Sequence, residues 1–171
     1  MIQFFQKFIN HFIKNIHYGD IHTKFATLFD IEKELVPFIN KEIDLSKVQP
    51  DNYVMDGDLI FADASEDYND IGKSIEIVNI NGKKILSGLH TILARPNKSI
   101  MALGFAGYLM KVNNIRLQIQ KEAQGTKVLG ISSRRLAKIT IPIPSLNEQI
   151  KIAKFFFAID NKINYIQTPI K

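Results

Sequence analysis

Residues 139–163 read ITIPIPSLNEQIKIAKFFFAIDNKI, an alternating apolar stretch that gives way to a helical one. Ile139, Ile141 and Ile143 alternate as a strand does. Pro142 and Pro144 lack the amide that a central ladder position needs, and they block any earlier helix start. The spacing predicts a strand that ends at the prolines. Ser145 and Glu148 then make a capping-box pair, in which the Ser oxygen takes a first-turn amide and the Glu carboxylate reaches back to the cap amide. A helix is predicted from Leu146. Along it Ile152, Phe156, Ile159, Ile163 and Ile166 are spaced four, three, four and three residues apart, which is the seam of a coiled coil. Ile150, Ala153 and Phe157 form a second apolar stripe. A helix docked on its own domain is the alternative reading of the seam; with two stripes, the helix can lie against that domain and still offer a seam to another helix. Thr168-Pro169 stops the pattern.

Upstream the pattern is mixed. Residues 53–55 and 59–62 read as short strands about an Asp56-Gly57-Asp58 turn. Residues 75–80 run into Asn81-Gly82, the strongest two-residue hairpin signal, with a return strand over 84–87. Residues 91–94 form another strand, stopped by Arg95-Pro96. Met101, Leu103, Leu109, Val112, Ile115 and Ile119 continue a helical pattern, and a glycine-rich basic loop covers 125–130. At the N-terminus Ile2, Phe4, Phe5, Phe8, Ile9, Phe12, Ile13 and Ile16 are interrupted at helical spacing by Gln6, Lys7, Asn10, His11 and Lys14. That predicts an amphipathic helix covering the core rather than the unbroken apolar run of an export signal. Few cations line its polar face, which argues against a membrane-surface role. The longest apolar run, residues 100–110, has eleven residues, against the roughly 20 needed to span a bilayer. Gly104, Ala106 and Gly107 place this run as a closely packed helix or helix pair. The expected organisation is an α/β domain of the α+β type over residues 1–144, with a mixed, mostly antiparallel sheet and packed helices, followed by a coiled-coil-type helix over residues 145–171.

A chain of 171 residues with 46% hydrophobic content can bury one substantial core, and two full domains would be crowded. Without cysteine there is no disulfide framework and no thiol chemistry, which is compatible with a reducing, intracellular compartment. The net charge of +5 is unevenly distributed. Beyond Gly72 the only acids are Glu76, Glu122, Glu148 and Asp160, among many lysines and arginines. A basic second half of this kind suits a polyanionic partner met by one face, although solvated lysines on an ordinary surface give the same count.

Several segments, taken in order, resemble a known family. His17-Tyr18-Gly19-Asp20-Ile21-His22-Thr23-Lys24-Phe25 is similar to the opening of one branch of the target-recognition domains found in specificity subunits of type I restriction–modification systems. Gly57-Asp58-Leu59-Ile60-Phe61-Ala62-Asp63-Ala64-Ser65-Glu66-Asp67 continues the resemblance. Ser87-Gly88-Leu89-His90-Thr91-Ile92-Leu93 with Arg95-Pro96 looks like the next strand, and Gly125-Thr126-Lys127-Val128-Leu129-Gly130-Ile131-Ser132 like the loop ahead of the last one. The Pro-x-Pro, Glu-Gln and Ile-Asp-x-x-Ile steps of residues 139–163 resemble the junction that closes such a domain. The resemblance covers about residues 16–166. It implies a cytoplasmic, non-catalytic subunit that binds double-stranded DNA and directs methyltransferase subunits and a restriction/translocase subunit to a target. It also implies that S-adenosylmethionine, ATP and magnesium are bound by those partners, with no cofactor on this chain. The resembling subunits carry two recognition domains and two conserved helices; here one copy and a short helix are present. A half-subunit that forms a homodimer through Ile152, Phe156, Ile159, Ile163 and Ile166 is therefore expected.

The sequence carries no recognisable catalytic motif. The only Pro-Asp is Pro50-Asp51 and the only Asp/Glu-x-Lys is Asp160-Asn161-Lys162, so a two-metal nuclease would need distant segments to meet. There is no Pro-Pro-aromatic methyltransferase motif, and neither Gly72-Lys73-Ser74 nor Gly82-Lys83 has the preceding glycine of a P-loop. His11, His17, His22 and His90 show no His-x-x-x-His pair, and residues 63–70 lack the central Gly and final Glu of a calcium loop. The candidates for fixing phosphates are Lys24, Lys73, Lys98, Lys121 and Lys127. Those for base or groove contact are Thr23, His90, Arg95, Arg116, Gln118, Gln120, Thr126, Ser132, Arg134 and Arg135. Two rival functions stand beside this one. One is an assembly or decoy module that pairs with a methyltransferase or a full specificity subunit without strong DNA binding. The other is a general basic nucleic-acid binder with no sequence preference.

Overall fold

The computed structural model describes residues 13–167. Its strands are β1 (Ile13–Ile16), β2 (Leu28–Asp30), β3 (Leu59–Ala62), β4 (Ala64–Ser65), β5 (Ser74–Asn79), β6 (Lys84–Ser87), β7 (Thr91–Ala94) and β8 (Leu129–Gly130). Its helices are α1 (Tyr18–Thr23), α2 (Phe105–Leu109), α3 (Asn113–Glu122), α4 (Ser133–Leu136) and α5 (Leu146–Gln167). The fold is of the α+β type.

β3 is central because its four residues are all buried, which only a strand covered on both faces permits. Leu59 and Phe61 point into one core, with Phe105, Ala106, Ile115, Ile119 and Ala153. Ile60 and Ala62 point into another, with Ile16, Phe29, Ile75, Ile77 and Ile85. Each fully buried isoleucine or phenylalanine contributes about 1.5–3 kcal/mol, and these two layers hold most of them. The main sheet runs β2-β5-β3-β7, parallel between β2 and β5 and antiparallel thereafter. Two small ladders flank it, β1 with β6 in parallel and β4 with β8 antiparallel.

Four expectations are corrected. Ile13–Ile16, read as the end of an amphipathic helix, is strand β1, with Ile13 and Ile16 buried against Ile39 and Ile85 in their respective clusters; residues 1–12 of that reading lie outside the described residues. Asn81-Gly82 does turn the chain, with φ of 44° and 67° and a Lys83 N–H to Ile80 O bond of 2.8 Å. The flanking strands nevertheless do not pair, because both edges of β5 are taken by β2 and β3 and β6 joins β1 instead. The helical pattern from Met101 to Ile119 is two helices, with Val112 in extended conformation between them. Residues 53–55 and 139–143 form no ladder strand: Tyr53 makes one bridge to Leu86, and Ile139 and Ile141 pack on the core while Thr140 is held by a side chain.

The C-terminal helix begins at Leu146 as the capping pair predicts. Ser145 N–H donates to Glu148 Oε2 at 3.0 Å and Glu148 N–H to Ser145 Oγ at 3.4 Å. Its Gln149 and Ala153 are buried against the domain, and Phe156 stacks on Tyr108 with centroids 5.2 Å apart. Ile152 and Phe156, the first part of the seam, thus face the domain's own groove of about 870 Å³. Phe155, Ile159, Ile163 and Ile166 remain exposed. No helix among the described residues is long and apolar enough to cross a membrane.

Candidate nucleic-acid interface

One end of the main sheet gathers the C-terminal end of β3 and the starts of β5 and β7, with Phe61 opposite Ser74 and Ala62 opposite Thr91. Everything that leaves this end is tied together by polar contacts. β4 follows β3 at once and pairs with β8, which brings residues 124–135 alongside. His22 Nε2 on α1 lies 3.0 Å from Ala64 O, and Lys73 Nζ donates to His22 O at 2.6 Å. The Tyr18 ring stands nearly perpendicular to those of His90 and His22, with centroids 5.4 and 5.8 Å away. The turn carrying His90 approaches β1 closely. Gly88 N–H donates to Ile16 O at 2.8 Å, and a Cβ at Gly88 would overlap Asn15 and that carbonyl, so no larger residue fits.

Between these elements is a cleft of about 550 Å³ lined by Asp63, His90, Gln124, Val128, Ser132 and Arg135 among others. His90 is held there in a left-handed conformation, φ 54°, which a non-glycine residue adopts only when its surroundings impose it. Asp63 imposes it: its N–H donates to His90 O at 3.0 Å and its carboxylate lies 3.2 Å from His90 Nδ1. Half of the imidazole stays exposed. On the other wall, Gln124 and Gly130 bridge the base of a small hairpin whose tip is Thr126 and Lys127, both exposed. Gly125 opens that tip at φ 123°.

The structure thus brings together Thr23, Lys24, Lys73, His90, Thr126, Lys127, Ser132 and Arg135. Several already have partners. Lys24 pairs with Asp20 at 2.6 Å, Thr23 Oγ1 donates to Gly19 O, and Ser132 Oγ caps α4. Arg135 reaches Glu122 O and Oε2, both at 3.2 Å, and Lys138 joins the same carboxylate. Those two cations hold the Glu122 carboxyl below its ordinary range, Lys138 foremost. Arg134 and Lys121 are exposed and have no carboxylate within ion-pair distance among the described residues. Tyr18 and Gln124 also belong to this surface, although no spacing in the sequence singles them out; they are found through the contacts of His90 and Gly130.

Other candidates lie elsewhere or are occupied. Arg95 sits at the opposite end of the sheet, as does Lys98 beside the Asp56-Gly57 turn. The guanidinium forks onto the fully buried Asp58, with Nε to Oδ1 at 2.9 Å and an Nη to Oδ2 at 3.0 Å, and it also donates to Tyr53 O. Hydrogen bonding to Asp58 raises its pKa further. Arg116 donates to Gly72 O, Asn69 O and Ile71 O and so staples the acidic loop; burial pushes its pKa down. Gln118 clamps the backbone of Thr140 through both ends of its amide, and Gln120 is buried. Among the described residues no cluster of three or more His, Cys, Asp or Glu is placed to hold a metal.

The family model for the type I restriction modification DNA specificity domain matches residues 16–171, which include every element named above except β1, of which only Ile16 falls inside the match. The chain belongs to that family. It is also 32% identical, over 118 residues, to the protein named "Putative type I restriction enzyme MjaX specificity subunit" of Methanocaldococcus jannaschii. That alignment spans 67% of this chain and 27% of the archaeal protein. The chain therefore corresponds to one specificity domain and covers about a quarter of the length of that relative.

Proposed function

We propose that this specificity domain reads a DNA sequence through the His90 and Gln124–Ser132 cleft and confers that choice on a type I restriction–modification complex. The observation that carries the reading is the convergence of α1, the His90 turn and the Thr126-Lys127 hairpin on one end of the sheet. That end has exposed cations at its rim and constrained polar side chains at its centre. Lys24, Lys121, Lys127 and Arg134 fix the duplex by its phosphates, a sequence-independent task. His90, Gln124, Thr126 and Ser132 sit where rigid elements can present them to base edges. The chain itself performs no chemistry. Methyltransferase subunits and a restriction/translocase subunit bind S-adenosylmethionine, ATP and magnesium and act where this domain places them.

A second copy pairs through Ile159, Ile163 and Ile166, whose exposed apolar surface on the outer turns of α5 is of the kind that coiled-coil partners cover. Ile159→Asp with Ile163→Asp should give a folded monomer by sedimentation. A parent chain that stays monomeric at high concentration refutes the pairing.

The decisive experiment purifies the chain with a type I methyltransferase and measures methyl transfer to a library of duplexes. One preferred sequence is expected, with affinity falling steeply as salt rises. Dimerisation without DNA affinity would overturn the reading in favour of an assembly module, and equal affinity for all duplexes in favour of a general binder.

A further inference from the structure

Gln149 is wholly buried although its side chain is an amide. Its Oε1 accepts the Ala102 N–H at 2.8 Å, and its Nε2 donates to Ile100 O at 2.9 Å and to Pro144 O at 2.8 Å. Both amide hydrogens are used, and every partner is backbone of a segment outside the helix that carries Gln149. Two residues beyond Ala102 the same segment is gripped from the sheet side. The Glu76 carboxylate on β5 accepts Gly104 N–H and Gly107 N–H, each at 2.6 Å, at the start of α2. A continuous buried polar path therefore runs from the central sheet through residues 100–107 to α5. One helical turn past Gln149, Ala153 Cβ stands 3.8 Å from where a Cβ on Gly104 would be, so helix and turn touch almost backbone to backbone.

Apolar contacts alone leave a docked helix free to slide and roll at little cost, since burial has no direction. Three hydrogen bonds to two separate backbone segments do have direction, and leaving those buried groups unpaired is costly. We infer that Gln149 is a positioning residue: it fixes the pitch and rotation of α5 on the recognition domain. Given the DNA reading proposed above, it thereby sets the spacing between the two half-sites that a pair of domains can read. That consequence rests on the proposed function; the joint itself does not.

The chain has no cysteine, so two introduced ones can be spin-labelled without interference. Lys83→Cys on the turn after β5 and Lys162→Cys near the far end of α5 are exposed; Lys83 lies away from the proposed surfaces, while Lys162 flanks the Ile159 and Ile163 seam. Diluted into excess unlabelled chain, so that no pair carries labels on both copies, the parent should give one narrow inter-label distance. Gln149→Met keeps the length and bulk and removes all three bonds; Gln149→Asn keeps the groups and withdraws them by one methylene. A broadened or displaced distance in either folded variant is expected. A narrow, unchanged distance in both overturns the proposal. Val36→Ala, a core cavity on the opposite side of the sheet, is the control: it should lower the melting temperature and leave the distance alone.

With the methyltransferase present, duplexes carrying half-sites at a series of separations provide the second measurement. Gln149→Met should lose the preference for one separation while keeping the half-site sequence. Retention of the parent's preference despite an altered distance overturns the link to spacing. A parent that shows no sequence preference overturns the proposed function, and the joint is then judged by the distances alone.

Discussion

Replacing Arg95 with alanine separates a structural arginine from a DNA contact. Asp58 is fully buried, and three donors hold its carboxylate: Nε and an Nη of Arg95 at 2.9 and 3.0 Å, and the Met55 N–H at 2.8 Å. Arg95→Ala leaves one of the three. Breaking a buried ion pair by deleting one partner costs about 3–5 kcal/mol, because the remaining charge is uncompensated. The guanidinium is 32% exposed, so water can follow it in and the loss belongs at the lower end, about 3 kcal/mol. For a chain of this size that lowers the melting temperature by about 6–12 °C, read by circular dichroism at a single pH and salt. Adding Asp58→Asn should recover part of the loss, since the stranded charge is gone. DNA affinity, measured well below the melting transition, should be unchanged. A loss of stability below about 1 kcal/mol, the size of a surface pair, together with weakened sequence preference, would refute the reasoning and put Arg95 on the DNA.

Arg134→Glu should weaken binding to specific and nonspecific duplex alike at low salt with no change in melting temperature, because its side chain is exposed, has no ion-pair partner among the described residues and on the proposed function meets phosphate; unchanged binding removes this surface from the interface. Arg135→Glu should also lower the melting temperature, since it sets a second carboxylate against Glu122 where a cation now stands; equal melting temperatures for the two variants would contradict that placement. Burial raises the Glu76 pKa above its ordinary 4.5, against the opposing pull of the Gly107 and Gly104 amides. In the window between those two values the native state binds more protons than the unfolded one, so the contribution of Glu76 is full below about 4.5 and is lost as pH rises through the folded pKa. Glu76→Gln should therefore show a more positive slope of stability against pH above 4.5 than the parent, in denaturant titrations at stepped pH; parallel slopes would mean the carboxyl is not perturbed.

Much of the architecture is local and so was open to reading. The capping pair at Ser145 and Glu148 names the start of α5, and β6 and β7 fall on the expected residues. What failed is what depends on competition between distant segments. Asn81-Gly82 specifies a turn, but whether its arms pair depends on who occupies the edges of β5, and one occupant, β2, is three residues long and too short for any periodicity to show. Ile139 and Ile141 alternate because alternate residues touch the core; the ladder is absent because Gln118 satisfies the Thr140 backbone. The same blindness affected the site. Arg95, Arg116 and Gln118 have the side chains that read bases, and nothing in the sequence says that Asp58, the carbonyls of residues 69–72 and Thr140 engage them in the fold.

The charge pattern makes the same point in three dimensions. Along the chain, acids crowd before Gly72 and bases after it, which looks like a polycationic half awaiting a polyanion. Folding interleaves the two. Arg95 goes to Asp58, His90 to Asp63 and Lys73 to Asp70, while Arg116 is spent on the backbone of the acidic loop. The electrostatic footprint is then set by the cations that folding leaves unpaired, not by the total. Around the cleft these are Lys121, Lys127 and Arg134, few enough that phosphate contact would hold the domain on any duplex only weakly. On the proposed function, sequence choice by one such domain would then depend on joining a second through α5, and the rigidity of the joint at Gln149 would be as consequential for target selection as any residue that touches a base.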